Sequence, residues 1–184
     1  MFGFRFMLSC AFMALSWQVF AVNANRSPEE AAILPKYCEI DSPEARMRIY
    51  GPTFVATHHY CWAMLAMLRA SRAADPHERA IHLSTVLGDL SYVIDNSPKT
   101  LVLLPEIYVK RGDFMRSNKK NEAAAIKDYY QAIQMKPSYA PAYLRLSDVY
   151  KKLGNIEEAK KILKQGLVVA PNTKSLQRKL SELK

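Results

Sequence analysis

A recurrence of 34 residues constrains this 184-residue chain more than any other feature. Pro137 and Pro171 lie 34 apart, as do Ala125 and Ala159, Tyr129 and Leu163, and Ala132 and Gly166. A period of that length belongs to a supersecondary unit that cannot bury its apolar face alone. Such a unit is stable only when stacked on copies of itself.

Local signals make the unit a helix pair. Asp75 followed by Pro76 reads as an N-cap and a first helical residue. Lys136-Pro137, Gly154-Asn155 and Ala170-Pro171-Asn172 read as breaks. Between these points the pattern predicts helices over about 53–74, 76–96, 100–117, 121–135, 139–153, 155–169 and 173–183. No segment alternates with period two for long enough to form a strand. Six glycines and ten scattered prolines also argue against a fold built on tight hairpin turns. The expected fold is all-α, with antiparallel helix pairs, a helical N-terminal region and a capping helix at the C-terminus. Residues 53–98 read as a degenerate helical pair and 99–184 as the repeat region. Residues 25–52, with Pro28, Pro35 and Pro43, read as an irregular arm with a helical turn at 45–50.

The first 24 residues have a different character. Arg5 is their one charge, and a nearly unbroken apolar run covers 6–20. That run has the length of a signal-peptide core and is short for a membrane span. Val22 and Ala24 suit the −3 and −1 positions of a cleavage site, with a cut after Ala21 as the second choice. The expectation is a cleaved secretory signal and a periplasmic or secreted protein; an uncleaved anchor, with membrane contact, is the rival. Cys10 would leave with the signal, and Cys38 and Cys61 would remain in an oxidising compartment.

Within the last full unit stand Tyr143, Leu146, Ser147, Tyr150, Gly154, Ala159, Leu163, Gly166 and Pro171. This series resembles the tetratricopeptide repeat, and the chain reads as a member of its exported bacterial type. The preceding unit fits with one slip: Tyr108, Gly112 and Met115 sit 35 residues before their counterparts, so the turn at 117–120 is expected to hold one fewer or a differently wound residue. The match is strong over 105–171 and weak over 53–98. The resemblance implies a short superhelix whose concave face is lined by the first helix of each pair. It implies groove positions Glu106, Val109, Asp113, Arg116 and Ser117 in one unit, then Pro141, Leu144, Asp148, Lys151 and Lys152 in the next. Val109 and Leu144 would form an apolar floor. The aspartates could pair with the base three residues on, solvating the surface, or the charges could orient an extended or helical peptide. Some relatives clamp a terminal carboxylate with Lys and Asn at the fifth and ninth positions; here those places hold other residues.

Charge is polarised along the chain. Residues 99–184 hold 18 Lys and Arg against 8 Asp and Glu, whereas 25–98 hold 7 against 9. Much of the excess reads as a solvated face, such as Glu157 and Glu158 before Lys160, Lys161 and Lys164. The sharper alternative is attraction to an acidic partner or an anionic surface. Nucleic acid is disfavoured, because no aromatic-basic reading motif appears.

Cys38, His58, His59 and Cys61 are the distinctive group outside the repeat. A Cys38–Cys61 disulfide would pin the arm to the first long helix, a stabilisation of roughly 2–4 kcal/mol. Alternatively, His58 and Cys61, three apart on a helix, could join Cys38 around a metal or haem, although adjacent histidines diverge by about 100° on a helix. Packing at a polar helix start accounts for the histidines most simply. The functional expectation is a non-catalytic adaptor or assembly factor that binds a protein or peptide, with no cofactor; its alternative is a metal- or haem-handling protein built on that group.

Overall fold

The computed structural model describes residues 26–40 and 42–183, so the expected signal segment lies outside the described residues. Among the described residues the regular structure is entirely helical, and no helix is long and apolar enough to cross a membrane.

The arm is more ordered than its prolines suggested. Helix α1 spans Pro28–Ile33, a 3-10 turn covers Lys36–Cys38, and α2 spans Pro43–Tyr50. Pro28 and Pro43 open their helices, where a first-turn position has no amide bond to lose, and Pro35 stands just before the 3-10 turn. The start of α1 is a capping box: Glu30 donates its backbone N–H to Ser27 Oγ at 3.2 Å, and the Ser27 N–H returns to the Glu30 carboxylate at 2.9 Å.

Three helix hairpins and a terminal helix follow. Helix α3 (Thr57–Arg72) pairs with α4 (Pro76–Asn96), α5 (Leu104–Asn118) with α6 (Glu122–Met135), and α7 (Ala140–Lys152) with α8 (Ile156–Val169). Helix α9 (Lys174–Ser181) closes the stack against α7 and α8. Asp75 caps α4 with both carboxylate oxygens, and Asn121 and Asn155 cap α6 and α8 through their side-chain carbonyls. Two starts differ from expectation. Pro52 winds residues 52–54 into a 3-10 turn, so α3 begins at Thr57, whose hydroxyl donates to Phe54 O. Leu101 folds back on Pro98 O, so α5 begins at Leu104.

One apolar core runs through all of this, from Ala56 to Leu183. Small residues let the paired helices approach. A Cβ placed on Gly112 would lie 2.6 Å from the Tyr129 ring, and one on Gly166 would lie 2.9 Å from the Tyr143 ring. The turn slip comes out opposite to the first option above: the earlier turn holds one residue more. Asn155 N–H bonds to the carbonyl of Tyr150, five residues back, whereas Asn121 N–H bonds to Met115, six back. The left-handed residue of the turn is Gly154 (φ 78°) in the later unit and Lys120 (φ 51°) in the earlier one.

Candidate partner-binding face

The groove positions do not share one fate. Val109 is buried, so of the two expected floor residues only the half-buried Leu144 meets solvent. Glu106 accepts the Tyr60 hydroxyl at 2.6 Å, joining α5 to α3. Burial and this carboxylate push the Tyr60 phenol far up, so it remains a donor. Pro141, Ser117, Lys151 and Lys152 are exposed and Arg116 is half-buried.

The two position-nine aspartates do not pair along their own helices. Asp113 accepts the Tyr129 hydroxyl at 2.8 Å and pairs with Arg145 of α7 at 3.1 Å. Asp148 pairs with Lys179 of α9 at 2.6 Å. Each therefore ties its repeat to the next first helix, because the stacked neighbour brings a base closer than the same helix does. Arg116 and Lys151, the expected intrahelical partners, make no ion pair among the described residues, while Lys152 reaches back to Glu122 at the start of α6. Lys152, and Lys120 more weakly, hold the Glu122 carboxyl below its ordinary value.

Two clefts open beside the first helices, one against α3 and α4 and the other against α9. One, of about 290 Å³, is lined by Met67, Ser71, Leu83, Lys110, Asp113 and Ser117. The other, of about 180 Å³, is lined by Leu144, Arg145, Asp148, Ser175, Arg178 and Lys179. Both offer apolar surface beside charge, with no nucleophile–base pair along their walls.

At the other end, Cys38 and Cys61 meet with Cα atoms 5.6 Å apart, a separation that a disulfide spans. Both are buried with Leu34, under Tyr37 and Met64. The histidines are committed elsewhere. His59 Nδ1 lies 2.7 Å from Asp89 Oδ1 of α4, and its ring stacks on Tyr92 with centroids 3.8 Å apart. His58 Nδ1 lies 2.9 Å from Val55 O, and burial, then His59 and Arg46, keep its imidazole below the ordinary value. The group proposed as a metal set is thus not assembled, and no cluster of three or more His, Cys, Asp or Glu among the described residues could hold a metal.

Several organising residues escaped the sequence reading. Arg111 forks onto the buried Asp128 at 2.9 and 2.7 Å and reaches Ser91 of α4 at 3.3 Å, binding three helices together. Arg69 forks onto Glu30 at 2.8 and 3.0 Å and holds α1 against α3; this lowers the Glu30 carboxyl to about 2. The inter-repeat pairs carried a usable signal: Asp113 to Arg145 is 32 residues and Asp148 to Lys179 is 31, opposite charges nearly one period apart.

These features define a helical repeat array with an open, charged face. Residues 119–183 match the family model of the tetratricopeptide repeat. The Protein STIP1 homolog of Dictyostelium discoideum is 34% identical over 76 residues, which are 41% of this chain and 13% of that protein. The chain thus spans a small part of that relative. Among solved structures, the first TPR of Spaghetti (RPAP3), bound to an HSP90 peptide, is 21% identical with a TM-score of 0.46, covering 66% of this chain and 91% of that one. MamA is 17% identical with a TM-score of 0.48, covering 77% of this chain and 76% of that one.

Proposed function

We propose that this chain is a non-catalytic adaptor or assembly factor that holds a protein or peptide partner against the face formed by α5, α7 and α9. The observation that carries this reading is the cleft beside Leu144: a half-buried aliphatic side chain lies between fixed charges on a rigid repeat scaffold. Peptide recognition of this kind uses apolar contact for affinity and surrounding charge for orientation. The match of residues 119–183 to the tetratricopeptide repeat, an array that presents such faces, supports it.

The same reading makes the protein an exported one, periplasmic or secreted, with Cys38 and Cys61 joined as a disulfide. The apolar run at 6–20 and the burial of two adjoining cysteines support this. The intact mass of the native protein tests both points, before and after thiol alkylation: loss of about the first 24 residues and no free thiol are expected.

The binding reading is tested with Leu144→Glu, at a half-buried side chain that packs on the margin of the core, with an unchanged helical circular dichroism spectrum as the check on folding. Partners captured from a periplasmic extract by the native protein should be lost by the variant. An unchanged set of captured partners would sink the assignment.

A further inference from the structure

The ion pairs of the repeats leave a cationic remainder. All eight carboxylates of residues 99–184 are engaged: Glu106 by the Tyr60 hydroxyl and the other seven by cations, among them Asp113, Glu122 and Asp148. Cations are in excess there; Lys99, Lys110, Lys127, Lys136, Lys164 and Lys174 are scattered without an ion pair among the described residues, and four more gather at one place. Arg116, Lys119, Lys120 and Lys151 make no ion pair among the described residues, and all stand at the end of a first helix or in the turn after it.

These four residues occupy one edge of the array. The Lys152–Glu122 pair brings the end of α7 against the turn between α5 and α6, and Lys120 lies near enough to act on the same carboxylate. The first helices α5 and α7 are direct neighbours, joined by the Asp113–Arg145 contact. The N-termini of α6 and α8 open at the same edge and add the positive ends of their helix dipoles. The left-handed residue of this turn, Lys120, also carries charge. The equivalent place one period later is the glycine that such a φ favours, yet this turn carries a lysine.

We infer that this turn edge, built from Arg116, Lys119, Lys120 and Lys151, docks an acidic peptide segment of the partner lying extended across the two repeats. The inference rests on the protein-binding reading above and adds the partner's chemistry and path. Packed helices stand about 8–10 Å apart, and an extended chain advances about 3.3–3.6 Å per residue. Carboxylates three residues apart in the segment therefore match Arg116 and Lys151. Glu122 stands inside the basic edge, so a continuous sheet of anionic charge such as a bilayer would meet a carboxylate at its centre. A peptide with separated carboxylates avoids it.

The test uses the full native chain and two fluorescein-labelled nonapeptides of identical composition. One has glutamate at every third position in a Gly-Ser context, and the other has its three glutamates contiguous. Binding is followed by anisotropy at low salt, where such contacts are strongest. The spaced peptide should bind more tightly. The Arg116→Gln, Lys120→Gln, Lys151→Gln triple variant should weaken it about tenfold, equivalent to about 1.4 kcal/mol. The Lys127→Gln, Lys164→Gln, Lys174→Gln triple variant has the same net charge and should stay within about twofold of native. Equal loss in both variants, no preference for the spaced peptide, or binding only to phosphatidylglycerol vesicles would each overturn the proposal. Leu144→Glu separates the two readings: loss of partner capture with peptide binding intact supports both, whereas intact capture with peptide binding lost in the edge variant condemns only the groove.

Discussion

The N-terminal hairpin with its arm and the α7–α8 hairpin solve the same packing problem by different means. In α7–α8 the fit is steric: Leu146, Ile162 and Leu163 are buried, and Gly166 lets the Tyr143 ring come close to α8. Around α3 the fit is largely polar. Glu30 forks onto Arg69, Arg26 donates to Cys38 O at 2.8 Å, His59 meets Asp89, and Cys38 adjoins Cys61. The arm descends beside α3 in the opposite sense, with Glu30 near residue 69 and Cys38 at residue 61. It covers the first hairpin as α9 covers the last. Ends of a stacked array need such covers, and the comparison teaches that they need not be alike. A regular helix suffices where Leu176 and Leu183 can plug the final hairpin. An irregular segment needs directional bonds, because it has little apolar surface to bury.

The contrast predicts that the two ends fail separately. The largest effect should come from reducing the cysteine pair, or from Cys38→Ala with Cys61→Ala. Either should cost about 2–4 kcal/mol, with amide exchange rising over 26–56 and unchanged over 140–181. Equal acceleration at both ends would mean that the array unfolds as one body. Gly166→Ala should act at the opposite end: the added Cβ meets the Tyr143 ring at 2.9 Å and Leu176 Cδ1 at 3.1 Å. Overpacking there should cost about 1–3 kcal/mol, read as a lower urea midpoint with exchange rising first over α8 and α9.

Acid provides a reversible version of the first experiment. Glu30 is held at about 2 against an ordinary 4.5, so the unfolded chain binds the proton more readily than the folded one. Its contribution is complete above about pH 4.5 and is lost as the pH falls from there toward about 2. In Glu30→Gln that part of the acid-induced loosening of the arm should be missing. The smallest effect, and a gain, is expected from Lys120→Gly. Relief of the left-handed backbone should raise stability by about 1 kcal/mol, measured by thermal denaturation, while removing one cation from the turn edge.

What the sequence made legible follows the same division. The repeat half was readable because steric rules act locally and periodically: prolines, asparagine caps and small residues recur at one period and dictate helix ends and close approaches. The arm was legible in part: the turn expected at 45–50 is the end of α2, whereas Pro28 looks like a breaker until Ser27 is recognised as the cap beside it. The face of the array was legible only by position. Position nine was acidic and position twelve basic in both repeats, but whether an aspartate pairs along its helix or across to the next depends on helix separation, which spacing alone does not carry. Burial of Val109 has the same origin, since the neighbouring hairpins, not its own helix, decide it.

The central claim is that the first-helix face of the repeats, and not the outer surface of the second helices, holds the partner. Photo-crosslinking tests it most directly, with p-benzoylphenylalanine in place of Leu144 on the face or of the exposed Gln165 on α8. The account predicts a discrete adduct from position 144 in cells expressing the full chain, and none from position 165. Adducts from position 165 with none from 144 would contradict it.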